Sequence, residues 1–186
     1  MTGVGQWSVS FSGTPIMLHA ALWVRQAARV LPNDPCLPKR LLDPVPRADV
    51  KIDPKLWREW WQALQHGPDS RGTAFDRWPA APTALRPVLD EFGDAPLVWA
   101  QTLAEHRNPY RPPRYQLPVD AALAKLRRES TGRASLEARV YGLAVEGNWV
   151  HVVPESSVVL ASWAALARPQ EWLTEALRDT VRPLAS

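Results

Sequence analysis

The sequence predicts an α+β protein: a small antiparallel sheet packed with amphipathic helices, with a helical middle region and long proline-rich loops. Three observations carry that class. Residues 6–12 alternate apolar and polar with a period of two, as a half-buried strand does. Residues 137–161 hold three β-rich runs separated by turn signals. Between them lie segments of helical periodicity broken by proline.

Taken in order, Trp7, Val9 and Phe11 fall on one face of the first strand, and Ser8, Ser10 and Ser12 on the other. Gly13-Thr14-Pro15 turns the chain, with Thr14 as the expected N-cap and Pro15 at the first helical position. A helix to about Val30 is apolar on most sides and is expected to be buried. Residues 31–53 carry five prolines and no periodicity, a long connection. Asp53-Pro54 opens a second helix, which His66-Gly67-Pro68 stops. Its apolar residues Leu56, Trp57, Trp60, Trp61 and Leu64 form one stripe. Two further helices are expected over about 83–92 and 95–107, separated by Gly93 and with Asp94 capping the second. Residues 108–117 are too proline-rich to be helical. A helix over about 118–129 turns Val119, Ala122, Leu123 and Leu126 inward.

The runs 137–145, 149–153 and 157–161 then read as a three-stranded meander, with turns at Glu146-Gly147-Asn148 and Pro154-Glu155-Ser156. Ser162 is expected to cap a short turn, and Pro169 to open a last helix to about Arg182. The N-terminal strand joins this meander, because four strands are more stable than three. The whole chain, 1–186, is expected to be a single α+β domain. Within it, 31–130 forms a helical, loop-rich insertion, and 135–186 forms the meander plus the C-terminal helix.

Composition narrows the function classes. Of 186 residues, 46% are hydrophobic and 22% charged, so a packed core is expected rather than disorder. The net charge is +3 and only four residues are lysine, so arginine supplies the basicity. The single cysteine, Cys36, excludes an intramolecular disulfide and a multi-cysteine metal site. The N-terminus lacks a basic leader, and its apolar run from Pro15 to Val24 is too short to cross a bilayer. A cytoplasmic location without membrane attachment is the expectation.

The ten tryptophans stand out. Each indole can bury roughly 150–250 Å², and its N–H needs a partner when buried. Trp57, Trp60, Trp61 and Trp78 are the candidate partner-binding residues, since tryptophan is enriched at interface hot spots. Against that, helical spacing with Leu56 and Leu64 fits a stripe that packs the helix onto the domain, the stronger of the two readings. The stretch 107–139 holds eight cations and three anions, a net +5. Arg107, Arg111, Arg114, Lys125, Arg127 and Arg128, with Tyr110 and Tyr115 among them, are the candidate nucleic-acid-binding residues. Arginine fits phosphate bidentately, and tyrosine stacks on bases. A solvated loop and helix face explains the same residues without any ligand.

No catalytic motif is present. His19, His66, His106 and His151 are scattered, and no spacing among them suits a metal. No cofactor or metal is expected. The three proline-rich connections, 31–53, 67–82 and 108–117, lean toward partner contact over wrapping their own domain. Together these observations lead to a non-enzymatic macromolecular-interaction protein, either a subunit of an assembly or a small regulator or inhibitor of a cognate protein. The alternative is a nucleic-acid-binding accessory protein acting through Arg107–Arg139, and third comes a hydrolase-type enzyme with a spatially assembled site.

Overall fold

The N-terminal alternation forms strand β1 (Trp7–Ser12), and it pairs with strand β2 (Ala134–Leu143) far along the chain. The computed structural model describes residues 6–30, 34, 36–68, 76–106, 116–130 and 134–183. These fall into two compact units. Unit 1 comprises the described residues of Met1–Ser12, Pro109–Gly142 and Gly147–Ser186; unit 2 comprises those of Gly13–Asn108 and Leu143–Glu146.

Unit 1 is a mixed sheet with helices. Strands β3 (Val150–Val152) and β4 (Val158–Ser162) complete the order β1-β2-β4-β3, and the two-residue β5 (Arg182–Pro183) pairs with the start of β2. Helix α5 (Gln116–Glu129), α6 (Trp163–Leu166), a 3-10 turn at Pro169–Glu171 and α7 (Leu173–Arg178) accompany it. The apolar core gathers Ala122, Leu123 and Leu126 of α5, Leu136, Ala138 and Val140 of β2, Val159 and Ala161 of β4, and Leu173 and Leu177 of α7. Trp7, Val9 and Phe11 pack against that cluster and stay partly buried. Ser162 caps α6, its Oγ accepting from Ala165 N at 3.1 Å.

Two features of the sheet correct the sequence expectation. First, β1 and β2 are parallel, with Trp7 opposite Leu136 and Ser12 opposite Tyr141. Parallel neighbours need a long crossover, and here most of the chain lies between the two strands. Second, the C-terminal strands are not a meander. β3 and β4 form an antiparallel hairpin, but β4 lies between β2 and β3. All five β4 residues are buried, whereas β3 is half-buried throughout. A strand covered on both faces reads as a continuous apolar run, and Val-Val-Leu-Ala is such a run. The last helix is also shorter than expected, because α7 ends at Arg178.

Unit 2 is helical. Helix α1 (Ile16–Ala27) is buried on nearly every side. It contacts α2 (Pro54–His66) and α4 (Ala95–His106), and α3 (Arg86–Asp90) precedes α4. Asp53 caps α2 as expected, its carboxylate accepting from Lys55 N at 2.8 Å with Pro54 at the first helical position. At α1 the cap differs: Pro15 occupies the N-cap position, and no side chain caps the helix. The α3 segment is helical only over Arg86–Asp90, and Gly93, at φ +57°, makes the turn before α4.

The long connection after α1 is held to its own unit. Leu41 N donates to Gln26 Oε1 (3.0 Å), Leu42 N to Ala144 O (2.9 Å), and Ala48 N to Ala27 O (3.0 Å). The described part of 31–53 therefore wraps its own unit rather than reaching outward. The same holds for 76–82, where Asp76 pairs with Arg86 at 3.0 Å. Of the third proline-rich connection, 108–117, residues 108–115 lie outside the described residues, and 116–117, expected not to be helical, open α5. Among the described residues, no helix is long and apolar enough to cross a membrane.

Candidate functional site

Helix α2 carries the aromatic stripe, and the structure turns it inward. Trp57 and Trp60 are 0% exposed, and Trp61 and Trp78 are 2% exposed. The rings interlock: Trp57 stacks on Trp61 at 5.7 Å and 13°, and Trp60 meets Trp78 edge-on at 6.0 Å. Three indole N–H groups have acceptors. Trp57 Nε1 donates to Ala21 O (2.9 Å), Trp60 Nε1 to Pro79 O (3.1 Å), and Trp78 Nε1 to the Asp90 carboxylate (2.8 Å). Trp61 Nε1 is buried without a partner. None of the four presents a ring face to solvent, so the cluster is core and not a platform for a partner. The physical reason is that α1 and Trp78 pack against the stripe, which sequence spacing does not reveal.

Two ionisable groups in α1 were not read as notable from the sequence. Arg25 is buried and held without a carboxylate. Its Nη2 donates to Pro38 O (2.6 Å) and Lys39 O (2.9 Å), and the guanidinium lies 5.5 Å from the Trp57 ring centroid. Burial lowers its pKa to about 10. A lone arginine inside an apolar helix was the available signal. His19 is fully buried. Its Nδ1 lies 2.9 Å from Pro15 O, and Nε2 accepts from Ala144 N at 2.9 Å. Those partners fix the Nδ1–H tautomer. Burial lowers its pKa to about 4, against the small upward pull of the Pro15 carbonyl. Both groups are bound to backbone atoms of unit 2.

The basic segment divides. Arg107, Tyr110, Arg111, Arg114 and Tyr115 lie outside the described residues. Lys125, Arg127 and Arg128 are exposed on α5. Arg127 lies 5.7 Å from the Trp7 ring centroid, and Trp7 Nε1 donates to Ala134 O at 2.9 Å. Glu129, two residues on, is engaged by Arg178 at 3.2 Å. Arg139 is exposed on β2. Its neighbours Ala138 and Val140 pack into the core with α5, so its own side chain points to the opposite face of the sheet. The described cations of 107–139 therefore do not share one surface.

Strand β1 presents a different feature, an end of the sheet. The Leu136 N–H donates to Gln6 O at 2.8 Å. In a parallel pair, alternate residues direct both backbone groups to the neighbour. Gln6, Ser8 and Ser10 therefore face β2, while Trp7 and Val9 direct their N–H and C=O away from it. Among the described residues no strand continues the ladder there. β1 also contains no charged residue and no proline, the devices that usually blunt an edge.

Other chemistry is dispersed. Cys36 is exposed, and its backbone N–H donates to Asp34 Oδ1. Among the described residues, no three His, Cys, Asp or Glu groups are placed to hold a metal ion. An open depression of about 520 Å³ in unit 1 is bordered by Pro154, Glu155, Ser156, Asp179 and Arg182. Arg182 there donates to Glu155 O at 3.2 Å. No family model matches the chain, and no curated protein or solved structure is similar to it.

Proposed function

We propose that the chain is a non-enzymatic interaction protein, a subunit or small regulator of a cognate protein, and that it engages its partner by adding a strand to the β1 edge. The observation that carries this reading is the outer side of β1 at Trp7 and Val9, which no strand pairs among the described residues, which is uncharged, and which is flanked by the half-buried row of those two side chains. An extended polypeptide matches such an edge, because main-chain hydrogen bonds give the affinity and alternating side chains the specificity.

Val9→Pro tests it. The Val9 N–H points away from β2, so proline there leaves the β1–β2 ladder intact, as edge positions allow. It removes the outward donor and places a ring in the path of an added strand. Affinity purification from the native host is expected to yield a co-eluting protein with the wild type and to lose it with Val9→Pro. Near-ultraviolet circular dichroism should stay unchanged. An identical elution profile for both proteins would overturn the reading.

The second reading, nucleic-acid binding, is favoured by one observation. Lys125 and Arg128 are exposed on α5 and have no carboxylate partner among the described residues. It requires co-purifying absorbance at 260 nm that a salt wash removes, since phosphate contacts release counterions. Loss of that absorbance in a Lys125→Ala/Arg128→Ala variant would favour it over the edge.

A further inference from the structure

We infer that the strand received at β1 is an amphipathic segment of a second protein with acidic residues at the end that lies beside Trp7; this rests on the reading of β1 as a docking edge. The side-chain pattern follows from the pleat. Residues of an added strand that fall on the α5 side come to rest beside Trp7 and Val9, which pack against the apolar cluster. Those that fall on the other side meet Ser8 and Ser10. The partner strand is thus apolar on alternate residues and small or polar between them.

The charge follows from what surrounds an uncharged edge. The Arg127 guanidinium lies over the Trp7 ring and is exposed. The nearest carboxylate along the helix, Glu129, is occupied by Arg178. Lys125 and Arg128 add positive charge on the same helix. Glu137, in register with Ser8, is exposed on the opposite face of the sheet. On the α5 side, where Arg127 covers Trp7, a carboxylate at that end of the incoming strand therefore gains an ion pair. A lysine or arginine there meets repulsion. A second copy of this chain brings an uncharged β1 and gains nothing from Arg127.

The test uses short fluorescent peptides in which Val and Thr alternate, with a pair of Glu or of Lys at one end or the other. Anisotropy is measured against the full-length protein at low and high salt. The Glu peptide is expected to bind wild type, to bind Arg127→Glu about tenfold more weakly, and to lose affinity with salt. The Lys peptide should show the reverse preference, and Val9→Pro, or N-methylation of alternate peptide amides, should abolish both. Equal binding of Glu and Lys peptides, or indifference to Arg127→Glu, overturns the acidic partner while the edge survives through its Val9→Pro sensitivity. Peptide binding unaffected by Val9→Pro overturns the edge itself, as does the absence of binding by every peptide. A dimer in sedimentation that Val9→Pro dissociates assigns the edge to a second copy and overturns the inference. Displacement of the peptide by polyuridine does so in favour of nucleic acid.

Discussion

Helix α2 and strand β1 are both aromatic-patterned segments, yet the structure treats them in opposite ways. In α2 the stripe Trp57, Trp60, Trp61 is sealed against α1 and Trp78, and three of these four indoles reach an acceptor. In β1 the row Trp7, Val9, Phe11 stays partly buried because the sheet ends there. The difference teaches that density of aromatic residues reports on packing, while the availability of backbone groups reports on recognition. A helix satisfies its own backbone and leaves only side chains to offer. An edge strand still has a ladder to complete.

The largest effect expected from breaking this contrast comes at Trp57. Trp57→Ala removes a fully buried indole, its bond to Ala21 O and the ring beneath Arg25. It should cost roughly 3–5 kcal/mol in urea denaturation. If stability holds and only partner binding falls, the assignment of α2 to the core is wrong. Acidification comes next. The folded pKa of His19 lies below its unfolded value of 6.5, at about 4, so the contribution of the neutral imidazole is complete above pH 6.5. It is lost progressively as pH falls toward 4, by roughly 3 kcal/mol in total. His19→Gln should flatten that part of the stability–pH curve, and an unchanged slope would show that other groups cause it.

Trp61 sharpens the comparison from inside the cluster. Its N–H has no acceptor while that of Trp57 does. Trp61→Phe should therefore be milder than Trp57→Phe by about 1–2 kcal/mol in the same denaturation assay. Equal costs would mean that the Trp61 indole is satisfied by ordered water. The smallest stability effect is expected at β1. Val9→Pro should cost about 1 kcal/mol, because its N–H leaves the β2 ladder untouched. Ser10→Pro, which removes a donor facing β2, should cost more. Reversal of that order would mean that the assigned facing of the β1 backbone is wrong.

Much of the local structure was legible. The β1 alternation, the Asp53-Pro54 start of α2, the Gly93 turn and the Ser162 cap each depend on residues a few positions apart, and each is found. The α1 start differs by one residue: Pro15, which has no side-chain acceptor, stands at the N-cap position, and the Thr14 hydroxyl does not cap the helix. The candidate site was less legible. The tryptophan stripe revealed the face α2 buries, but not that α1 and Trp78 cover it completely. Arg25 and His19 looked ordinary because their partners, Pro38 O and Ala144 N, lie at distant positions.

The sequence by itself determined the α+β class, the helix faces and the pairing of an N-terminal strand with the C-terminal sheet. Those follow from periodicity, capping and the need of a short sheet for a further strand. Only the tertiary structure decided that β1 runs parallel to β2 and that β4 lies between β2 and β3. Strand direction and order depend on the path of the connecting chain and on which strand is covered on both faces. Neither is written in the residues of any one strand. The position of β1 at an end of the sheet, with no further strand beside it among the described residues, is a consequence of that arrangement.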